Sequence, residues 1–334
     1  MKLLETKSLS IGYRKGKNTT SIIQKDINLS VEPGQIISLM GQNGVGKTTF
    51  IKSICGLLPV LDGQVFYHGQ DLKRIRPKDL ARQISIVLTE KPFNQTITVL
   101  ELIAIGRHPY SGWLGTLGEK DKGVIDWAIS ETNINYLANK KLYELSDGQM
   151  QKVMIARALV QETDLILLDE PAAHLDLYNK IEVMILLRKI AKTGKGIIIS
   201  THDMQVSTQL SDLLWLFNFN EPVTSGTPED LILNGSLEKT LYLHNHGYDM
   251  IHGIVVMDQH GPKVSVIGEE DRKFWTIQAL KRNGYQIDQT AEITVEASTT
   301  NWLLKTNNDS MVLESIEELV KALKFGNQNI QKGL

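Results

Sequence analysis

Short apolar runs recur along the first 225 residues, each followed by polar positions: Ile36–Met40, Ile84–Leu88, Leu165–Leu168 and Gly196–Ser200. Runs this short, rich in leucine and β-branched residues, predict strands buried on both faces. Between them the apolar spacing changes to that of helices, over Thr48–Leu57 (ending near Pro59), Gln149–Val160 and Leu177–Ala191. Strand and helix alternating in this way predict a mainly parallel α/β sheet. Upstream, from Leu3 to about Val31, the pattern suggests strands broken by the polar stretch Arg14–Ser21.

From about 91 to 147 the character changes. Thr98–Arg107 and Lys120–Glu131 carry helical spacing around the glycine-rich HPYSGWLGTLG, so a helical subdomain is inserted in the α/β body. After Gly226-Thr227-Pro228 the pattern changes again. Strand-like Gly253–Met257 and Lys263–Gly268 precede a helix over Phe274–Asn283, a strand over Ile293–Ala297 and an amphipathic helix over Val312–Lys324. The expected organisation is therefore a main domain over 1–225 and a small α/β extension over 226–334.

With 334 residues the chain exceeds what one core usually serves, which agrees with that division. A net charge of −2 gives no electrostatic reason to expect nucleic acid as a partner. The lone Cys55 excludes an intramolecular disulfide and fits a reducing compartment. MKLLETKSLSIGY lacks the apolar core of a signal peptide, and no apolar run approaches the eighteen or so residues needed to span a bilayer. A role at a membrane would have to pass through a separate embedded subunit.

Chemistry enters at 41–49. GQNGVGKTT fits G-x-x-x-x-G-K-[ST] at every fixed position, between a predicted strand and a predicted helix. Gly41, Gly44 and Gly46 leave room for Gln42, Asn43 and Val45 to turn their backbone N–H groups toward a phosphate. Lys47 offers a cation to the β and γ phosphates, Thr48 a hydroxyl to Mg²⁺, and the helix that continues through Thr49 its N-terminal dipole. The LILLDE strand supplies two carboxylates. In such a fold Asp169 would hold Mg²⁺ through its water and Glu170 would orient the attacking water.

Leu145–Gln149 reads LSDGQ, directly before the helix MQKVMIARALV. Together with the phosphate loop, LILLDE and Ser200-Thr201-His202-Asp203, it resembles the ABC ATPase family over about residues 1–225. The resemblance implies a P-loop NTPase of ABC type that binds Mg-ATP as a homodimer. It implies that Tyr13 stacks on adenine, that Ser146, Gly148 and Gln149 approach ATP on the opposite protomer, and that His202 contacts the γ-phosphate and Glu170. His174-Leu175-Asp176 resembles the loop joining the two sites. Two positions depart from the pattern: Asp147 replaces the commoner glycine, and Glu90 stands where the family usually has glutamine. Glu90 could ligate Mg²⁺ or repel phosphate; alternatively it faces solvent and Gln95 substitutes.

Thr98–Gly115 resembles the helical region of importers for iron-siderophore, haem or cobalamin. That implies an integral membrane permease as partner, a substrate-binding protein indirectly, no nucleic acid, and a peripheral position on the cytoplasmic side of the cell membrane. Arg107, His108, Tyr110 and Trp113 could line the permease contact, or the two aromatics could belong to the subdomain core. A ribosome- or DNA-acting ABC protein and an exporter half are the competing classes. The first usually carries two cassettes or a long coiled-coil insertion, the second fused membrane helices. His244, His246 and His252 are weak metal candidates, without cysteine or clustered carboxylates near them.

Overall fold

The computed structural model describes residues 1–334 except 16–18, 89–93, 112–115, 174, 242–247, 250–253, 256–259, 307–308 and 332–334. Glu90, Trp113, His174, His244, His246 and His252 therefore lie outside the described residues. Two compact units, Met1–Leu241 and Tyr242–Leu334, make up the chain.

In the first unit the apolar runs pair into a six-stranded sheet, in the order Thr224–Gly226, Leu213–Leu216, Ile36–Met40, Gly196–Ser200, Leu165–Asp169 and Ile84–Val87. All neighbours are parallel except the Thr224–Gly226 edge. Ile36–Met40 and Gly196–Ser200 are buried at every position, as expected for strands covered on both faces. Register brings Leu39 and Asp169 beside Ser200 on either side, so the carboxyl ends of three strands open at one edge. In open parallel sheets that edge is where ligands bind.

A second, antiparallel sheet pairs Thr19–Ile27, Leu4–Lys15, Asp62–Tyr67 and Gln70–Asp71. The polar stretch expected to break the first strands is itself largely paired: Arg14 faces Thr20 and Lys15 faces Thr19. Polar side chains cost nothing on the solvated face of an antiparallel ribbon. Helix Lys47–Ile54 is fixed to the main sheet by Phe50, whose ring meets Trp215 edge-on at 5.8 Å and Phe217 at 5.4 Å.

The inserted helices are Val99–Ile105 and Glu119–Glu131. Thr98 and Glu101 close a capping box at the start of the first, and Val99, Ile103, Ile129 and Leu137 share a core with Val153 and Ile155 of helix Asp147–Leu159. Arg107, expected at a partner surface, is instead 1% exposed. Its guanidinium donates to Asp121 (2.8 Å), Glu162 (2.7 Å) and the Val160 carbonyl (2.6 Å), and lies 4.0 Å from the Tyr110 ring centre. Tyr110 donates its hydroxyl to the Gln161 carbonyl at 2.7 Å. Both residues fasten the insertion to Val160, Gln161 and Glu162, which directly follow helix Asp147–Leu159. Only His108 of the described candidates is exposed.

Sequence patterning set the domain boundary at 225/226. The first unit runs on through helices Pro228–Leu233 and Ser236–Leu241, where Leu231 and Leu237 are buried. In the second unit Gln286–Ile287, Lys263–Gly268, Thr294–Ala297, Trp302–Lys305 and Ser310–Leu313 form a mixed sheet in that order. Helices Glu270–Arg282 and Ile316–Gln331 accompany it, with Leu280, Leu319 and Leu323 in its core. The last helix starts later than its apolar spacing suggests, because Leu313 and Val312 pair with Trp302 and Leu303 as an edge strand. Among the described residues no three His, Cys, Asp or Glu side chains gather as a metal site.

Candidate active site

The phosphate loop leaves the strand at Met40 and enters the helix at Lys47. Two of its glycines are required by geometry. Gly41 has φ 147°, and a Cβ there would sit 2.3 Å from the Phe217 carbonyl oxygen; Gly46 has φ 113°, and a Cβ would meet Ile23 at 2.7 Å. The loop borders a cleft of about 440 Å³ lined by Tyr13, Ile23, Asn43, Gly44, Gly46, Lys47, Thr48, Thr49, Asp169, Glu170 and Ser200.

Lys47 is 8% exposed and its ammonium donates to the Gly41 and Gln42 carbonyls at 2.6 and 3.1 Å. Burial lowers its pKa from the ordinary lysine value, partly offset by the charges of Glu170 and Asp169. A cation resting on backbone carbonyls has partners that an anionic phosphate can outbid.

Glu170 sits in the left-handed region at φ 49°, which costs about 1–3 kcal/mol for a residue other than glycine. A 2.8 Å hydrogen bond from its N–H to the Ser200 carbonyl holds it there. The carboxylate thereby leaves the strand direction and meets His202, with Oε1 3.0 Å from Nδ1. An ionised carboxylate can only accept, so Nδ1 carries the proton and Nε2 remains for another partner. The His202 side chain is 72% exposed.

Tyr13, half exposed on its strand, places its hydroxyl 3.2 Å from Thr49 Oγ1. Val45 is buried beneath the loop, and Gln42 and Asn43 are exposed. Ser146, Gly148 and Gln149 do not line this cleft. Ser146 instead caps helix Asp147–Leu159: its Oγ accepts from Gln149 N–H at 3.3 Å while Gln149 Oε1 accepts from Ser146 N–H at 3.1 Å. Gly148 is buried, and a Cβ on it would lie 2.4 Å from Asn179 Oδ1. Asn179 carries no motif and could not be read from the sequence. Ser200 stands in the Ser200-Thr201-His202-Asp203 run, which gave its position at the strand end but not its place in the cleft lining.

A glycine-lined loop at a strand end, a lysine at the following helix and two carboxylates on a nearby parallel strand define a P-loop nucleoside triphosphatase. Residues 24–173 match the ABC transporter family model, and residues 260–324 match that of the iron ABC transporter C-terminal domain. An uncharacterized ABC transporter ATP-binding protein of Methanocaldococcus jannaschii is 36% identical over 75% of this chain and 85% of its own length. The iron(3+)-hydroxamate import ATP-binding protein of Bacillus subtilis is 32% identical over 73% of this chain and 89% of its own. A dimeric ATP-binding cassette solved in a post-hydrolysis state with ADP and phosphate superposes with a TM-score of 0.59, at 25% identity over 67% of this chain and 98% of its own. The chain belongs to the ABC transporter ATP-binding family, and it is an ABC-type ATPase. Cassettes of this family dimerise and partner with transmembrane permeases. Among the described residues no helix is long and apolar enough to cross a membrane.

Proposed function

We propose that this ATPase powers import of an iron-siderophore or closely related metal chelate. Two copies close on two Mg-ATP molecules and drive a separate permease from the cytoplasmic side of the cell membrane, with a binding protein delivering cargo to that permease. The observation that carries the cargo reading is the tail, whose residues 260–324 match the iron ABC transporter C-terminal domain. The B. subtilis hydroxamate relative and a petrobactin import relative from Bacillus anthracis, 33% identical over 69% of this chain, support it.

The mechanism follows from the cleft. Lys47 transfers its ammonium from the loop carbonyls to the β and γ phosphates, while the loop N–H groups cradle them. Thr48 Oγ1 and the Asp169 carboxylate, hard oxygen donors on one cleft, are suited to Mg²⁺, which when bound neutralises charge on the phosphate oxygens. Glu170 accepts a hydrogen bond from the attacking water and orients it. His202, anchored through Nδ1, keeps Nε2 for the γ-phosphate. Tyr13 supplies a ring for the adenine. Ser146, whose turn stands outside this cleft, completes the cleft of the other protomer, with Gly148 and Gln149 shaping that turn. Glu90 would act at the same centre.

The permease partner has a candidate seat. A cleft of about 770 Å³ is lined by Leu57, Leu58, Leu72, Ile75 and Leu80 beside Arg157. Burial works against the Arg157 charge, and no ion-pair partner stands opposite it among the described residues. An apolar permease segment bearing a carboxylate fits both features.

The test is reconstitution with the neighbouring permease in vesicles and measurement of ATP-driven uptake of radioiron as its siderophore. Uptake that Lys47→Ala abolishes supports the reading. Uptake indifferent to Lys47→Ala, or turnover stimulated by ribosomes or DNA and not by the permease, contradicts it.

A further inference from the structure

We propose that Lys180 is a positioning residue for the His202–Glu170 pair, and that the start of helix Leu177–Ala191 ties this pair to the signature turn of the same protomer. The inference rests on the ATPase reading of that pair and extends it from one nucleotide to two.

The His202 ring is 72% exposed, so packing does little to hold it. Its place depends on the backbone, and therefore on Asp203 next to it. The Asp203 N–H donates to Thr201 Oγ1 at 3.0 Å, and Oδ1 accepts from Val206 N–H at 3.0 Å as a helix cap. Oδ2 accepts from the Lys180 ammonium. Lys180 and Asp203 are 22% and 23% exposed, so salt and water weaken this pair less than an open surface pair.

Lys180 lies one turn into helix Leu177–Ala191, where its N–H donates to the Asp176 carbonyl at 2.9 Å. The same turn presents Asn179 to the signature. Asn179 Nδ2 donates to both Asp176 carboxylate oxygens, at 2.9 and 3.1 Å, and its side-chain oxygen occupies the space that a side chain on Gly148 would need. Two residues beyond Lys180, Glu182 accepts from Lys152 of helix Asp147–Leu159 and from the Tyr178 hydroxyl. One helical turn thus touches Gly148 on one side and, through Lys180 and Asp203, the residue beside His202 on the other.

In the dimer these two sides serve different nucleotides. The Ser146 turn closes on the partner's ATP, while His202 and Glu170 act on the protomer's own. A contiguous set of ion pairs and close contacts can pass a shift of the first to the second. Closure of one half-site then sets the catalytic pair of the other.

The experiment is steady-state turnover of the assembled transporter with Lys180→Met. The expected result is about a tenfold fall in kcat, with KM for ATP and binding of a fluorescent ATP analogue within about twofold of the parent. Lys180→Arg, which keeps the ion pair, restores most of kcat, and turnover is compared at a temperature where melting curves show both variants fully folded. In a His202→Ala background, Lys180→Met causes no further loss, because both changes act through one group. Parental kcat in Lys180→Met, an equal loss in Lys180→Arg, or an additive loss in the His202→Ala background overturns the proposal. Lys47→Ala is run alongside. If that variant is dead, an unaffected Lys180→Met refutes the positioning role alone; if it turns over normally, the ATPase reading beneath it fails.

Discussion

Lys47 and Arg107 are both buried cations, 8% and 1% exposed, yet the chain treats them in opposite ways. Arg107 is enclosed by two carboxylates, a carbonyl and an aromatic ring, so its charge is answered in the fold itself. Among the described residues Lys47 donates to the carbonyls of its own loop, with Asp169 and Glu170 near enough to moderate its pKa. A buried charge with its partners complete is a fastener. One resting on replaceable acceptors beside a strained carboxylate is poised for a ligand.

This contrast is sharpest in substitutions that remove one charge at each place. Lys47→Ala is expected to abolish ATP turnover while leaving the melting temperature of the free protein close to the parent. If Glu170 orients the attacking water as proposed, Glu170→Gln should lower kcat by about 10²-fold or more and leave ATP bound. Stopped-flow nucleotide binding and phosphate release separate the two. Arg107→Met should do the reverse. It leaves Asp121 and Glu162 without their cation, a change that costs about 3 kcal/mol. The loss would show in calorimetry as a fall of roughly 5–10 °C, with the ATP affinity of the folded fraction retained. If Arg107→Met stops turnover without loss of stability, the division between fastener and working group fails.

Both cations were visible in the sequence, but the local pattern gave the surroundings of only one of them. Lys47 stands in a motif whose spacing alone dictates the strand–loop–helix geometry, and the runs Ile36–Met40, Leu165–Asp169 and Gly196–Ser200 placed the carboxylates on parallel neighbours. Arg107 stands in a G-R-x-P turn, and an arginine beside tyrosine and tryptophan has the same composition at an interface and in a satisfied core. Its partners Asp121 and Glu162 are remote in sequence, so no local pattern reports them. The same reason hid Asn179, which meets Gly148 only through tertiary packing. In the tail, Trp302–Lys305 and Ser310–Leu313 escaped because they are four-residue strands joined by a short connection, and apolar Val312 and Leu313 extended the apparent helix backwards.

Smaller effects refine the comparison. Glu90→Gln should change turnover by only a few-fold and preserve or raise it, if the carboxylate stands where family members use glutamine. A folded but inactive variant would mean the carboxylate itself is required. Cys55, next to the apolar cleft, has its thiol pushed up to about 12 by burial. Native protein at pH 8 should therefore resist iodoacetamide, whereas protein in denaturant should label readily; mass spectrometry reads both. Rapid labelling of the folded chain would show that this cleft opens.

On the proposed reading two protomers share each nucleotide, and that would give the Ser146 turn a task outside its own cleft. A Cys55→Ser, Glu170→Gln chain carrying Ser146→Cys, mixed with one carrying Asn43→Cys, can be tested for disulfide formation with Mg-ATP, with Mg-ADP and without nucleotide. A cross-linked dimer that forms with Mg-ATP and fades with Mg-ADP is the predicted result. Protein that stays monomeric and uncross-linked at saturating Mg-ATP, while the parent chain still hydrolyses it, would contradict the account.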